Sequence, residues 1–186
     1  VKGPLLTGRP FYYAIMPLRR FFAILSSIVL IGLASPAQAR PITPDADFLI
    51  AAHQGNLTQI KLGKIAKHQG TTDSVRTIAR DLAAYHRKLD VAVRTTATRL
   101  DVKLPAEPNS EQRTLIQQHE STSGAAFDTL FLGSQLIAHE RAIKLALVVI
   151  DTGAEPKITR LAAKALPIVQ SHQQVLVEAQ QKLTGR

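Results

Sequence analysis

The chain has 186 residues, with 23 Lys plus Arg against 14 Asp plus Glu and a formal charge of +9. That length makes one domain with a tail, and 45% apolar residues suffice for a core. There is no cysteine, which excludes disulfides, thiol nucleophiles and thiolate metal sites, and there is no tryptophan, with aromatics at 5%, so stacking platforms for single-stranded nucleic acid are excluded as well.

The first predicted element is an export signal. Residues 16 to 39 open on Met16-Pro17-Leu18-Arg19-Arg20, continue through an uncharged apolar run from Phe21 to Leu33, and end on Ala37-Gln38-Ala39. A basic start, an apolar centre and an A-x-A cleavage site are the parts of a secretory signal peptide, and 13 apolar residues are too few for a spanning helix, which needs about 20. Residues 1 to 15 precede the signal and read as an over-extended N-terminus, with Met16 as the start. Removing 39 of 186 residues and their four basic side chains (Lys2, Arg9, Arg19, Arg20) takes the charge from +9 to +5 and leaves 147 residues, 40–186, as a single helical-bundle domain. The expected location is therefore periplasmic or outer-membrane associated. A +5 chain is compatible with an anionic envelope surface as partner. Nucleic acid is not expected: the basic residues are dispersed and no recognition motif is present.

Four long helices follow. Thr43-Pro44-Asp45, with Asp47, predicts a helix start, with a capping hydroxyl, Pro in the first turn and acids at the positive end of the dipole. That helix is expected to run to about His68, before Gln69-Gly70. A second is expected from Thr72-Asp73 to about Asp101, and a short one from Asn109 or Ser110 to about Glu120. Ser121-Thr122-Ser123-Gly124 should break it, with a third long helix then running to Thr152-Gly153 and a fourth from Glu155-Pro156 onward, with Pro167 inside it kinking it or removing one hydrogen bond. The expected fold is all-α, a four-helix bundle with a long connector between helices 2 and 3. The connector from Val102 to Ser123 has reach enough to cross the bundle, so up-down-up-down and crossover topologies are both open.

An internal duplication is the most informative pattern. An offset of 86 carries His53 onto His139 and His86 onto His172, with apolar residues around them mapping likewise (Ile50 to Leu136, Leu82 to Ile168). Within each hairpin the two histidines are 33 apart, and their midpoints, 69.5 and 155.5, fall in the predicted turns, which places each pair at one height. At 100° per residue His86, His139 and His172 lie on apolar, core-facing stripes. His53 is ambiguous because its helix is apolar nearly all round. His68, at a helix end, and His119, on the connector, read as solvated.

The inward histidines allow two readings. One is a metal site of His86, His139 and His172, with His53 as a further candidate, since imidazole suits transition ions. The other is structural: buried histidines bonded to each other, to water, or to Asp90, four residues beyond His86. No Glu-x-x-His motif is present, because Ala83, Leu136 and Val169 stand three residues before His86, His139 and His172. No acid–base–nucleophile geometry is implied around Ser134 or Ser171 either.

Several stretches resemble a known family. Asp47-Phe48-Leu49, Ala51-Ala52-His53-Gln54-Gly55-Asn56-Leu57, Leu62-Gly63-Lys64-Ile65-Ala66, Ser123-Gly124-Ala125-Ala126-Phe127-Asp128, and Ala165-Leu166-Pro167 with His172 are similar to the exported bacterial domain-of-unknown-function 4142 family. The resemblance covers about residues 45 to 180. It implies a ferritin-like bundle of crossover topology, often labelled an outer-membrane protein, with no established activity. It also implies the histidine positions 86, 139 and 172, whereas His53 is this chain's own. Tyr85 and Ala138 stand where the family commonly has Asp, and Gln59 and Lys61 where it has helix 1 carboxylates. These departures weigh against a hard-metal oxidase and leave zinc or copper as the better ions for an all-imidazole site. The sequence thus favours a structural or interaction module that is no enzyme and has no cofactor. A metal-binding or redox stress bundle is the alternative.

Overall fold

The computed structural model describes residues 44–185, all within one compact unit, Arg40–Arg186. The segments 1–15 and 16–39, the Pro41–Pro44 leader and the capping hydroxyl of Thr43 lie wholly or mainly outside the described residues. Those described form five α-helices and no strand: α1 Pro44–Gln69, α2 Asp73–Arg99, α3 Ser110–Ser121, α4 Gly124–Thr152 and α5 Pro156–Thr184. None is long and apolar enough to cross a membrane.

The helix ends have local causes. Thr72 caps α2 by accepting from the Val75 N–H. Asn109 and Gln112 exchange side-chain-to-backbone bonds, both of 2.9 Å, in a capping box that starts α3. Glu155 caps α5, with Pro156 in its first turn, where a missing N–H costs nothing. α4 begins on Gly124 at φ +65°, a left-handed value that a residue with a Cβ rarely adopts. α5 runs as one helix through Pro167, whose side chain is exposed.

Two carboxylates decide the topology. Buried Asp128, in the second turn of α4, accepts from the backbone N–H and hydroxyl of both Thr71 and Thr72, at 2.7 to 3.1 Å, in the α1–α2 turn. Buried Asp45, at the start of α1, accepts from the N–H groups of Ala154 and Glu155, both at 3.0 Å, in the α4–α5 turn. α4 therefore starts where α1 ends, and the connector returns along the bundle: the crossover topology. α1 packs on α2 and α4, and α5 on α4 and α2, while α3 lies chiefly on α1. Each hairpin's first helix holds the other hairpin's turn through one carboxylate. The equivalent groups are 83 apart in the chain (45 to 128, 71 to 154, 72 to 155), not the 86 of the histidine repeat.

The core is divided. One apolar cluster gathers Leu62, Ala66, Leu82, Phe127, Phe131 and Leu176. The other gathers Phe48, Leu49, Val93, Val149, Ile158 and Ala162. Apart from Asp45 and Asp128 at the turns, the buried polar residues of the long helices fall between the two, among them His53, Asn56 and Gln59 on α1, His86 and Asp90 on α2, Gln135 and His139 on α4, and His172 on α5. A polar layer thus crosses the middle of the bundle. Beside it α1 and α2 meet closely at Gly63, where a Cβ would stand 2.6 Å from the Ala79 carbonyl oxygen.

Candidate metal centre

His86, His139 and His172 come together in this layer. Their ring centroids are 5.6 to 5.7 Å apart, and one nitrogen of each lies within 4.8 Å of the other two. All three are buried, His139 to 1% exposure. Tyr85 packs on His172 with centroids 5.1 Å apart and is itself half exposed, so its ring covers the trio on one side.

Hydrogen bonds assign the tautomers of two of them. His139 Nδ1 lies 2.8 Å from the backbone carbonyl of Gln135, which only accepts, so Nδ1 carries the proton. His86 Nδ1 lies 2.8 Å from the Asn56 side-chain oxygen and donates likewise. In both rings Nε2 is then a bare lone pair. Neither has a partner, and neither has either nitrogen of His172. The imidazoles meet edge to face without bonding one another. Each orphaned buried polar atom costs about 1–3 kcal/mol, so this is an expensive arrangement for packing alone.

Burial, then the imidazoles of His139 and His172, hold the His86 pKa well below its usual 6.5. Burial lowers His139 against the opposing pull of the Gln135 carbonyl. Burial and His139 bring His172 down to about 4. All three are neutral at pH 7, the form that ligates a metal.

The fit to an ion is good in kind. A metal-bound His ordinarily donates its second N–H to a carbonyl or amide oxygen, as His86 and His139 do. Tetrahedral zinc at about 2.0–2.1 Å spaces its ligand nitrogens by about 3.4 Å, so the rings need to close by little more than 1 Å. Among the described residues no carboxylate joins the three.

His53 is not in this group. Its Nδ1 lies 2.6 Å from Asp90 Oδ1, both buried, one layer along the α1–α2 interface from the His86–Asn56 bond. Asp90 is thus the partner of His53 and not of His86. His68 is exposed, in line with its solvated reading, but His119 corrects the same reading: it is fully buried. Its ring meets the faces of Phe127 and Phe131 edge-on and bonds Ser134, because α3 turns its apolar side inward instead of lying in solvent. Gln135 was not anticipated. It is wholly buried, one turn before His139, with both side-chain amide atoms unpartnered. Its place on the inward stripe of α4, at i−4 from His139, was the available signal.

The His cluster borders a cavity of about 650 Å³ between α1, α3 and α4. His86, His139 and Asn56 line it, and Glu111 and Arg141, paired at 2.9 Å, stand at its exposed rim.

The sequence profile of the family described as Domain of unknown function (DUF4142) matches residues 32–179. No curated protein matches the chain. Among solved structures, a DUF305 fragment from Deinococcus radiodurans superposes with a TM-score of 0.64 at 17% identity, over 73% of this chain and 93% of that one, a likeness of fold alone. With four-fifths of its length matched, the chain belongs to the DUF4142 family.

Proposed function

We propose that the protein is an exported, ferritin-like helical bundle that binds one transition-metal ion, zinc or copper, through His86, His139 and His172. One observation carries this reading: three buried imidazoles bring one nitrogen each within 4.8 Å of the other two, and four of their nitrogens have no protein hydrogen-bond partner. The structural role expected from sequence had these histidines bonded to each other, to water or to Asp90; they do not bond one another, and Asp90 is taken by His53. The donor set narrows the ion, because imidazole suits zinc, copper, iron and nickel, manganese favours carboxylate oxygen, and the carboxylate that non-haem iron sites add is not present in the trio. Support for the ferritin-like reading comes from two antiparallel hairpins joined by one long crossover. Export rests on the signal pattern of residues 16–39, and an envelope setting on the +5 charge that remains.

The test is metal analysis of the purified protein after zinc or copper loading and desalting. About one ion per chain is expected, with a melting temperature that falls on EDTA treatment, and both effects should be lost in His139→Ala. A protein that keeps no metal and melts alike with and without EDTA would return the histidines to a purely structural role. The interaction-module reading keeps one observation of its own: Ile137, Leu147 and Val148 stand exposed on α4, and a partner would cover them.

A further inference from the structure

We infer that the cavity beside His86 and His139 is a binding site for an amphiphilic monocarboxylate, whose head group completes the coordination of the ion held by the three histidines. The inference rests on the metal reading above and adds the class of ligand.

The cavity has the character of a small-molecule site. At about 650 Å³ it falls within the range of about 300–1,000 Å³ for pockets that enclose small ligands, which lie by preference between the helices of bundles. Its walls are mainly apolar, with Leu62, Leu89, Val93 and Val169 among them beside polar Gln59 and Gln118. The room comes from small side chains: Ala52, Ala138 and Ala142 line it, and so does Gly55, where a Cβ would meet nothing within 4 Å. α3 roofs the space from α1 and touches α4 only lightly, so the entrance opens between α3 and α4 at the Glu111–Arg141 pair.

Charge balance specifies the head group. Three neutral imidazoles leave a divalent ion with its full charge in a buried site, which is costly without an anion. Among the described residues none is placed to supply one: Asp90 is engaged by His53, and Glu111 sits at the rim with Arg141. Three protein ligands also leave the fourth tetrahedral position for an outside donor. An anion that reaches this position through apolar walls is best accommodated with an apolar body. Asn56 adds a preference for carboxylate. Its Oδ1 accepts from His86, which leaves its NH₂ as a donor among the cavity-lining groups, suited to the second oxygen of a carboxylate whose first oxygen is on the metal.

The experiment uses the full chain loaded with Co(II), whose visible spectrum reports its coordination, and titrates it with decanoate and acetate. Decanoate should change the spectrum saturably. Each buried methylene contributes about fourfold in affinity, so burying half of its eight should favour decanoate over acetate by more than about 100-fold. Ala142→Trp, at an exposed position on the lining, should weaken decanoate at least tenfold with Co(II) uptake unchanged; Ala52→Phe serves as a second blocking variant. If Co(II) binds and decanoate leaves the spectrum unchanged, the inference fails and the metal reading stands. Acetate binding as tightly as decanoate, or blocking variants that bind decanoate undiminished, would also overturn it. No Co(II) uptake removes both.

Discussion

Asp128→Ala should be the most damaging single change outside the histidines. The carboxylate is fully buried and accepts four hydrogen bonds, from Thr71 N at 2.8 Å, Thr71 Oγ1 at 2.7 Å, and the N and Oγ1 of Thr72, each at 3.1 Å. The hydroxyls can turn to other acceptors, and Thr72 still caps the N–H of Val75. The two backbone N–H groups cannot turn. A hydrogen bond to a charged group contributes about 1.5–3 kcal/mol, so losing two gives about 3–6 kcal/mol before any collapse of the space left behind. At about 2–4 °C per kcal/mol for a chain of this size, the melting point should drop by about 6–24 °C. Asp45→Ala strands two backbone N–H groups as well, bonded at 3.0 Å at the opposite turn, and should cost up to the same amount, without the loss of hydroxyl bonds. Burial pushes the Asp128 carboxyl upward, but the bonds from Thr71 and Thr72 outweigh it and hold its pKa below the ordinary 3.8. Its contribution is therefore complete above the unfolded value and is lost as pH falls through the lower folded one. The variant should lack that last acid-dependent loss. Because Asp128 fixes the start of α4 against the α1–α2 turn, and His139 lies three turns further along α4, metal affinity should fall as well. Urea melts at pH 7 and at pH 3–4, beside zinc titration, measure all three effects. A loss under about 1 kcal/mol would refute the clasp.

Three further outcomes are expected. In metal-free protein, His86, His119, His139 and His172 all have lowered pKa values in the fold, so the folded chain binds fewer protons than the unfolded one below pH 6.5. Stability should be full above about pH 6.5 and decline as pH falls toward about 4, the His172 value, which pH-dependent thermal melts would record; equal stability at pH 7 and pH 5 would contradict inward neutral imidazoles. His53→Ala strands the buried Asp90 and should cost about 3–5 kcal/mol while the metal stoichiometry stays at one, whereas His86→Ala should abolish metal binding; a lost ion in His53→Ala would place His53 among the ligands. Gly55→Ala should stabilise by up to about 1 kcal/mol through helix propensity, but Gly63→Ala should destabilise, because its Cβ would press on Ala79 O at 2.6 Å and Ala83 Cβ at 2.7 Å; the same sign in both would refute the close α1–α2 contact.

The helices were legible because their ends are marked locally. Thr72-Asp73, Asn109, Gly124 and Glu155-Pro156 each state a boundary in one or two residues, and the four helices after α1 begin at or beside these marks. Topology was not, since a 22-residue connector fits two arrangements equally well and the groups that choose between them act across more than 50 residues of sequence. Asp128 stood inside the most recognisable motif of the chain, yet nothing adjacent to it says that its partners are two threonines in another hairpin. His119 was misplaced for a related reason. A short polar helix reads as solvated until Phe127 and Phe131 are known to lie beneath it.

The histidines show how little register separates a member of the central trio from a bystander. Equal spacing in the repeat put His53 level with His86 on the strength of a midpoint at 69.5. α1 ends at Gln69 and α2 begins at Asp73, so the turn is centred on residue 71, and His53 lies 18 residues from it while His86 lies 15. Three residues are about 4.5 Å of helix, nearly one turn. That turn suffices to set His53 against Asp90 and to give its level opposite His86 to Asn56. The consequence bears directly on chemistry. With Asn56 in place, His86 keeps its proton on Nδ1 and presents Nε2 bare, alongside His139 held the same way by its own backbone. A histidine at that level would compete for a metal as a fourth imidazole. Under the proposed metal site, an amide there would instead orient a ligand and leave one coordination position to whatever enters the cavity.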